Sequence, residues 1–239
     1  MLSTKRDAHR NFSVTREDVE KLLAADESET LERKQSLDKE GVCKSIIAFA
    51  NDLYGHGRGF IIVGQAPNKD LVGLSVGDDE AQRTITDFAR NNCCPAVPVS
   101  VECYEKDGKH FAIVEVRASP ARPHFMGKAL VRMGSTTRVA TDAEIILLRA
   151  IEQDRKVAMV KRWLDEGNTT VVFWQMPAPG RDFAMSPRVE QARLLEVTEN
   201  WIVLVLGSSK RAFPFSEFNV GYDPQQNLPQ IRYHGGYIT

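Results

Sequence analysis

Apolar positions along the first two-thirds of the chain change repeatedly between a helical period and a strand period. Helical spacing begins at Thr15, extends over residues 39–53 and begins again at Asp78. Two strands are predicted between these segments, one from the alternation of side chains in ESETLERKQSL and one from the apolar run FIIVG. This order predicts an α+β fold in which a mixed β-sheet carries flanking helices.

Two turn signals predict hairpins farther along the chain. Residues 67–70 (Pro-Asn-Lys-Asp) precede the apolar run LVGLSV, and Asp107-Gly108 separates two alternating apolar runs. A loop and one or two short strands are expected next, through LVRMGSTTRVAT. Thr141 and Glu144 then form a capping-box pattern that begins a long helix ending near Glu166.

The pattern changes again after this helix. Short apolar runs separated by Pro, Gly and Asn are typical of a small, mostly β domain. Its aromatic residues are expected in its core, although they could also stack on bases. The sequence therefore predicts a flexible N-terminus over 1–12, a first domain over 13–152 and a small β-rich domain over 153–239.

Composition limits the kinds of function that this chain can have. The formal net charge is −1, so any nucleic-acid site must be a local basic patch on a nearly neutral protein. The four cysteines lack zinc-site spacing and are expected to be free, mostly buried thiols. Neither a signal peptide nor a membrane-spanning apolar run is present in the sequence, which predicts a cytoplasmic protein without membrane contact.

The order of several short motifs resembles the AlbA_2 domain of Schlafen-like proteins. These motifs are ESETLERK, SIIAFAN, FIIVG, LVGL, RPH and LVRMGSTTRVAT, and the resemblance covers roughly residues 22–150. It implies an AlbA/Schlafen-like fold and nucleic-acid binding, to RNA or DNA. In Schlafens themselves it also implies a metal-dependent endoribonuclease that acts on tRNA and rRNA.

The resemblance assigns the nuclease site to an acidic group that holds Mg²⁺ or Mn²⁺. Glu27 and Glu32 would be the metal ligands, together with an acid just after the FIIVG strand, and Lys34 would hold the scissile phosphate. Because residues five apart do not share a face of one strand, Glu27 should lie before the strand begins.

The chain departs from the family pattern at two positions in this region. Arg33 stands where the family has Phe, and residues 65–67 are Gln-Ala-Pro where the family carries one or two acids. Asp70 is the nearest remaining carboxylate after the strand and is the possible third acid. The triad is therefore incomplete, which weakens the prediction of an enzyme more than the prediction of binding.

A second group of candidates is basic. Residues 109–140 contain six Lys or Arg and one acid, which predicts a surface that tracks phosphates. The predicted nucleic-acid-binding residues are Arg122, His124, Lys128, Arg132, Ser135, Thr136 and Arg138. Alternatively, Arg132 and Arg138 pair with strand neighbours or with the acidic N-terminal segment. The GHGRG segment fits a flexible turn better than a phosphate loop, so no nucleotide cofactor is predicted.

Three functional hypotheses follow from these observations. The first is a nucleic-acid-binding module that grips RNA or DNA backbone through the basic patch. The second is a Schlafen-like endoribonuclease, and the third is an adaptor that docks a protein partner through residues 170–239. Because Schlafen cores combine two such lobes and this chain resembles one, a homodimer is also predicted.

Overall fold

The structure, a computed structural model, describes residues 14–176 and 186–234. The predicted flexible segment 1–12 lies outside the described residues. The chain divides into two compact units, 1–149 and 150–239. No helix within the described ranges is both long enough and apolar enough to cross a membrane.

Side-chain caps begin helices at Thr15, Asp38 and Thr141. The helices are α1 (Arg16–Ala24), α2 (Lys39–Asn51), α3 (Asp78–Asn91) and α4 (Asp142–Asp165). Thr15 and Asp18 form a reciprocal capping box at α1, and the Asp38 side chain accepts a hydrogen bond from the backbone N of Gly41 at α2. Thr141 and Glu144 form the expected capping box at α4.

A four-stranded mixed sheet forms the centre of the first unit. Its strands are β1 (Leu31–Lys34), β2 (Arg58–Val63), β3 (Val99–Lys106) and β4 (Lys109–Arg117), in the order β1-β2-β4-β3. β1 is parallel to β2, whereas the other two pairs are antiparallel. Helices α2 and α3 pack on one face, and α1 covers part of the other, so the predicted α+β architecture is confirmed.

A smaller three-stranded sheet contains most of the LVRMGSTTRVAT motif. It consists of β5 (Phe125–Met126), β6 (Lys128–Met133) and β7 (Thr136–Val139). Together with the first turns of α4, it forms a separate apolar cluster that includes Val131 and Leu148. The β6–β7 hairpin is therefore packed on its inner side, and its tip at residues 134–136 is exposed.

One of the two predicted hairpins is confirmed and the other is wrong. Asp107 (φ 53°) and Gly108 (φ 74°) adopt the left-handed backbone that a two-residue hairpin turn requires. After β2, by contrast, only one bridge forms, between Gln65 and Leu71. The backbone N–H groups of residues 72 and 73 both donate to the Gly64 carbonyl, so the chain coils back instead of continuing a strand ladder.

The second unit has the β-rich character that the composition change indicates. Its strands are β8 (Thr170–Gln175), β9 (Arg188–Val197), β10 (Trp201–Leu206), β11 (Ser209–Pro214), β12 (Phe218–Asp223) and β13 (Leu228–Tyr233), in the order β11-β10-β9-β8-β13-β12. Val160 and Trp163 of α4 pack in its core. Phe213, Phe215 and Phe218 are buried there, so these three rings are core residues and not base-stacking platforms.

Candidate functional site

Strand β1 directs its alternate side chains to opposite faces of the sheet. Glu32 and Lys34 share one face, and their charged groups lie 2.6 Å apart (Nζ to Oε1). The other oxygen of Glu32, Oε2, accepts a hydrogen bond from Nη1 of Arg132 on β6. Both oxygens of this nearly buried carboxylate are therefore paired with cations.

Arg132 is a buried structural residue. Its side chain is 3% exposed, and its Nε and Nη2 donate to the carbonyl oxygens of Ser28 (2.6 Å) and Leu31 (2.8 Å). Its guanidinium also lies over the Phe49 ring. The expectation that Arg132 grips phosphate is corrected, because these contacts use its donors to attach β6 to β1. The alternative, a pairing with the acidic N-terminal segment, is what the structure shows.

The two departures from the family pattern, Arg33 and Gln65, contact one another. Nε of Arg33 donates to Oε1 of Gln65 over 2.9 Å, and both side chains are buried. Nε2 of Gln65 donates to the carbonyl oxygens of Leu23 (3.1 Å) and Lys69 (2.9 Å). Burial lowers the pKa of Arg33. This pair links β1, the end of β2 and the end of α1, and nothing in the spacing of the two residues predicts it.

The predicted acids do not converge on a common point. Glu27 lies between α1 and β1, as expected, and its Oε1 accepts a hydrogen bond from the backbone N of Arg33 (2.8 Å). Asp70 is exposed and accepts a hydrogen bond from the Asn68 amide (2.7 Å). Across residues 14–176 and 186–234, no three His, Cys, Asp or Glu side chains are grouped so that they could hold a metal ion.

Asp70 instead lines a groove of about 490 Å³ beside the β3–β4 turn. Two lysines of this groove are already engaged, because Lys106 pairs with Glu20 (2.5 Å) and Lys109 donates to the Leu71 carbonyl (2.6 Å). Since acids and bases are interspersed along its walls, the groove presents no net cationic surface to a polyanion.

The RPH motif closes the end of helix α2. His124 is fully buried; its backbone N donates to Oδ1 of Asn51 (2.7 Å), and its ring Nδ1 lies 2.7 Å from the Pro95 carbonyl oxygen. Nη1 of Arg122 donates to the carbonyl oxygens of Asn51 and Asp52, both at 3.0 Å. The expectation that His124 and Arg122 face nucleic acid is corrected: the histidine has no exposed surface, and the arginine caps the carbonyl end of the helix.

Burial also lowers the pKa of His124, since the apolar surroundings disfavour the imidazolium. The histidine is therefore suited to a neutral structural role. Its Nδ1 carries the proton, because the carbonyl oxygen of Pro95 can only accept.

The remaining predicted contacts stay at the surface. Lys128, Ser135 and Thr136 are exposed. Arg138 is partly exposed and forms a bidentate pair with Glu144, with nitrogen–oxygen distances of 2.8 and 2.5 Å. This hydrogen bonding lowers the pKa of Glu144 to about 2.

Two arginines that were not in the predicted site project from neighbouring strands. Arg58 of β2 and Arg117 of β4 are cross-strand partners, and both lie near Oε1 of Glu115, at 3.6 and 3.4 Å. The Glu115 side chain is 1% exposed, whereas those of Arg58 and Arg117 are 50% and 62% exposed. The charge that reaches solvent at this point is therefore positive.

Arg58 lines the same small cavity as His56 and Glu29, and Glu29 lies beside the tip of the β6–β7 hairpin. The backbone N of Gly134 lies 3.4 Å from Oε1 of Glu29, and Oε2 of Glu29 lies 3.0 Å from Nε2 of His56. Tyr54 is 50% exposed in the same loop. We name this area the loop–hairpin surface and define it by Tyr54, His56, Arg58, Arg117, Ser135 and Thr136.

The glycine-rich loop owes its shape to one carboxylate. Asp52 accepts hydrogen bonds from the backbone N–H groups of His56 and Gly57, both at 2.8 Å. Gly55 (φ 78°) and Gly57 (φ 83°) supply the left-handed backbone between them. The cavity below the loop measures only about 10 Å³, so a ligand must lie on the surface and not inside the protein.

Comparison with known proteins identifies similarity over the first unit. Residues 27–141 match the family described as Schlafen, AlbA_2. No curated protein matches the chain.

Two solved structures show low similarity. The DIP2311 protein from Corynebacterium diphtheriae is 16% identical with a TM-score of 0.39, and the match covers 72% of this chain and 43% of that one. This chain therefore corresponds to less than half of that protein. The N-terminal domain of a putative ATP-dependent DNA helicase RecG-related protein from Nitrosomonas europaea is 23% identical with a TM-score of 0.37, covering 52% of this chain and 90% of that one.

Proposed function

We propose that the protein is a nucleic-acid-binding module that contacts RNA or DNA backbone through its loop–hairpin surface, and the match of residues 27–141 to the Schlafen, AlbA_2 family supports this. The observation that carries the proposal is the exposure of Arg58 and Arg117 around a buried carboxylate. Arg donors match phosphate oxygens in a bidentate geometry, and two arginines on adjacent strands can reach neighbouring phosphates.

The rest of the surface offers contacts of the kinds that nucleic-acid-binding proteins use. The hydroxyls of Ser135 and Thr136 at the hairpin tip can donate to phosphate oxygens. The exposed ring of Tyr54 can stack on an unpaired base. Because the protein as a whole is nearly neutral, the attraction is local and binding should weaken steeply with salt.

A double variant tests the surface. We expect Arg58→Gln/Arg117→Gln to weaken binding to a fluorescein-labelled single-stranded oligonucleotide, measured by anisotropy. The slope of log K against log salt should also become shallower, by about 0.7 for each phosphate of the single strand that the variant no longer neutralises. The same titrations with RNA and DNA of matched sequence decide between the two polymers.

The matched control is Arg83→Gln/Arg90→Gln, which removes two exposed arginines from helix α3 of the same unit. This control should bind like the unaltered protein. Equal losses of affinity in the two double variants, or no binding by the unaltered protein at low salt, would reject the loop–hairpin surface as the binding site.

A further inference from the structure

The nuclease site implied by the family resemblance requires carboxylate oxygens that are available to a divalent ion. Mg²⁺ and Mn²⁺ are bound by several oxygen ligands that converge in a regular geometry. In this chain Glu32 has one oxygen 2.6 Å from the Lys34 ammonium and the other bonded to the buried Arg132 guanidinium. A metal ion at Glu32 would have to displace Lys34 and Arg132 or lie beside them. Either arrangement is unfavourable, because the charge of the ion repels both cations.

The other two ligand positions do not fit a metal either. The carboxylate of Glu27 accepts a backbone hydrogen bond from Arg33, which fixes its Oε1. After β2 the chain has Gln65 where an acid would be needed nearby, and the amide oxygen of Gln65 is taken by Nε of Arg33. At the three implied ligand positions the donors are thus a carboxylate paired through both oxygens, a carboxylate with one oxygen bonded to the backbone, and an amide oxygen that accepts from Arg33.

We infer that Glu32 is the internal counter-ion of Lys34 and Arg132 and not a metal ligand, and that it acts as a positioning residue that fastens the β6–β7 hairpin to β1. Arg132 carries the connection, because it also donates to the Ser28 and Leu31 carbonyls on the β1 side. A second consequence rests on the proposed function. If the hairpin tip contacts nucleic acid, the ion pair between Glu32 and Arg132 holds that tip in place, so binding needs no divalent metal.

The metal part of this inference is tested with Mn²⁺ alone. Free Mn²⁺ is followed by its electron paramagnetic resonance signal while the full chain is added, without nucleic acid. We expect the signal of free Mn²⁺ to fall by the same amount with the unaltered protein and with Glu27→Gln. This substitution removes the carboxylate charge but keeps a side-chain oxygen that can accept the hydrogen bond from the backbone of Arg33. Mn²⁺ that the unaltered protein holds, and that Glu27→Gln or Glu32→Gln releases, would overturn the inference. Mn²⁺ held equally by all three proteins places the ion elsewhere and supports it.

The positioning part is tested by hydrogen exchange. In Glu32→Gln we expect the protection of backbone amides in β6 and β7 to fall by an order of magnitude or more, while that of β3 and β4 changes less. Glu29→Gln is the control, because Glu29 contacts the hairpin through a long, 3.4 Å hydrogen bond from the Gly134 backbone and is more exposed than Glu32. Unchanged hairpin protection in Glu32→Gln would refute the positioning role, and global unfolding of this variant would show as lost protection in β3 and β4 too.

If Glu32→Gln does not fold, Arg132→Lys provides a second variant. It keeps the charge opposite Glu32 but loses the donors to Ser28 and Leu31, so the hairpin amides alone should lose protection; full protection would refute the role.

Oligonucleotide anisotropy in EDTA and in Mn²⁺ then separates the two proposals. Equal affinity in EDTA and in Mn²⁺ supports both the proposed function and the inference. Binding that requires Mn²⁺ overturns the inference. Absence of binding in both buffers refutes the proposed function and leaves the Mn²⁺ titration valid.

Discussion

At the scale of single residues, burial determines what each charged group contributes. Arg132 and Glu32 are nearly buried and form an ion pair, whereas half or more of the side-chain surface of Arg58 and Arg117 is exposed. Removing one member of a buried ion pair leaves an uncompensated charge, but removing an exposed arginine does not. We therefore attribute a stabilising role to the buried arginine and keep ligand contact as a proposal for the two exposed ones.

We predict that Arg132→Met lowers the free energy of unfolding by about 3–5 kcal/mol, because Glu32 would stay buried with only Lys34 to balance it. Arg117→Met should change it by less than about 1 kcal/mol. Urea denaturation followed by circular dichroism measures both. Similar small effects in the two variants would mean that the buried pair contributes little.

The contact between Arg33 and Gln65 gives a second prediction at this scale. We expect Arg33→Met and Gln65→Leu each to destabilise the protein, since each change leaves the other polar group buried without its partner. The double variant should be more stable than the sum of the single effects implies, by about 0.5–3 kcal/mol of coupling. Additive losses of stability in a thermodynamic cycle from urea denaturation would show that the pair does not act as a unit.

At the scale of elements, the start of helix α4 is stabilised by one carboxylate in its first turn, that of Glu144. Glu144 accepts from the backbone N of Thr141 and pairs with Arg138 of β7, so one carboxylate both caps the helix and connects it to the hairpin. Its pKa of about 2 lies below the ordinary value of 4.5. A group with a lowered folded-state pKa stabilises the fold above its unfolded pKa and loses this contribution as the pH falls through its folded pKa.

We therefore predict that the stabilisation from Glu144 is complete above pH 4.5 and is lost between pH 4.5 and about 2. Glu144→Gln should lower the melting temperature at neutral pH, and the difference from the unaltered protein should shrink across this acidic range. Asp142→Asn, in the same helical turn, is the control. A difference that stays constant down to pH 2 would exclude the Arg138–Glu144 pair as its source.

At the scale of the whole molecule, the prediction concerns how many copies of the chain assemble. The resemblance implies two lobes, and one segment of this chain, residues 27–141, matches the Schlafen, AlbA_2 family. A role of residues 170–239 in docking a protein partner stays a prediction, and residues 177–185 and 235–239 of that segment lie outside the described residues. Cytoplasmic location likewise stays a prediction.

We predict a homodimer, because pairing of two copies would supply the second lobe. Light scattering at tens of micromolar protein should give twice the 26.8 kDa of one chain. The same measurement at high salt tests whether the association is electrostatic. A mass of one chain in both buffers would contradict the prediction.

The sequence by itself determined the order of the helices and of most strands, although not the chain path after β2, and it determined the resemblance to the AlbA_2 family. Periodicity, capping pairs such as Thr141 with Glu144 and the Asp107-Gly108 turn are local signals, because the residues that interact are a few positions apart. The motif order also identified the AlbA_2 domain, which the family match confirms.

Only the tertiary structure decided which polar side chains meet. Arg33 contacts Gln65 from 32 positions away, and Glu32 contacts Arg132 from 100 positions away, distances along the chain over which no local pattern operates. A count of basic residues cannot separate the buried Arg132 from the exposed Arg117, since burial depends on which elements pack together. The basic stretch was visible in the sequence, but its division into structural and exposed cations is a property of the fold.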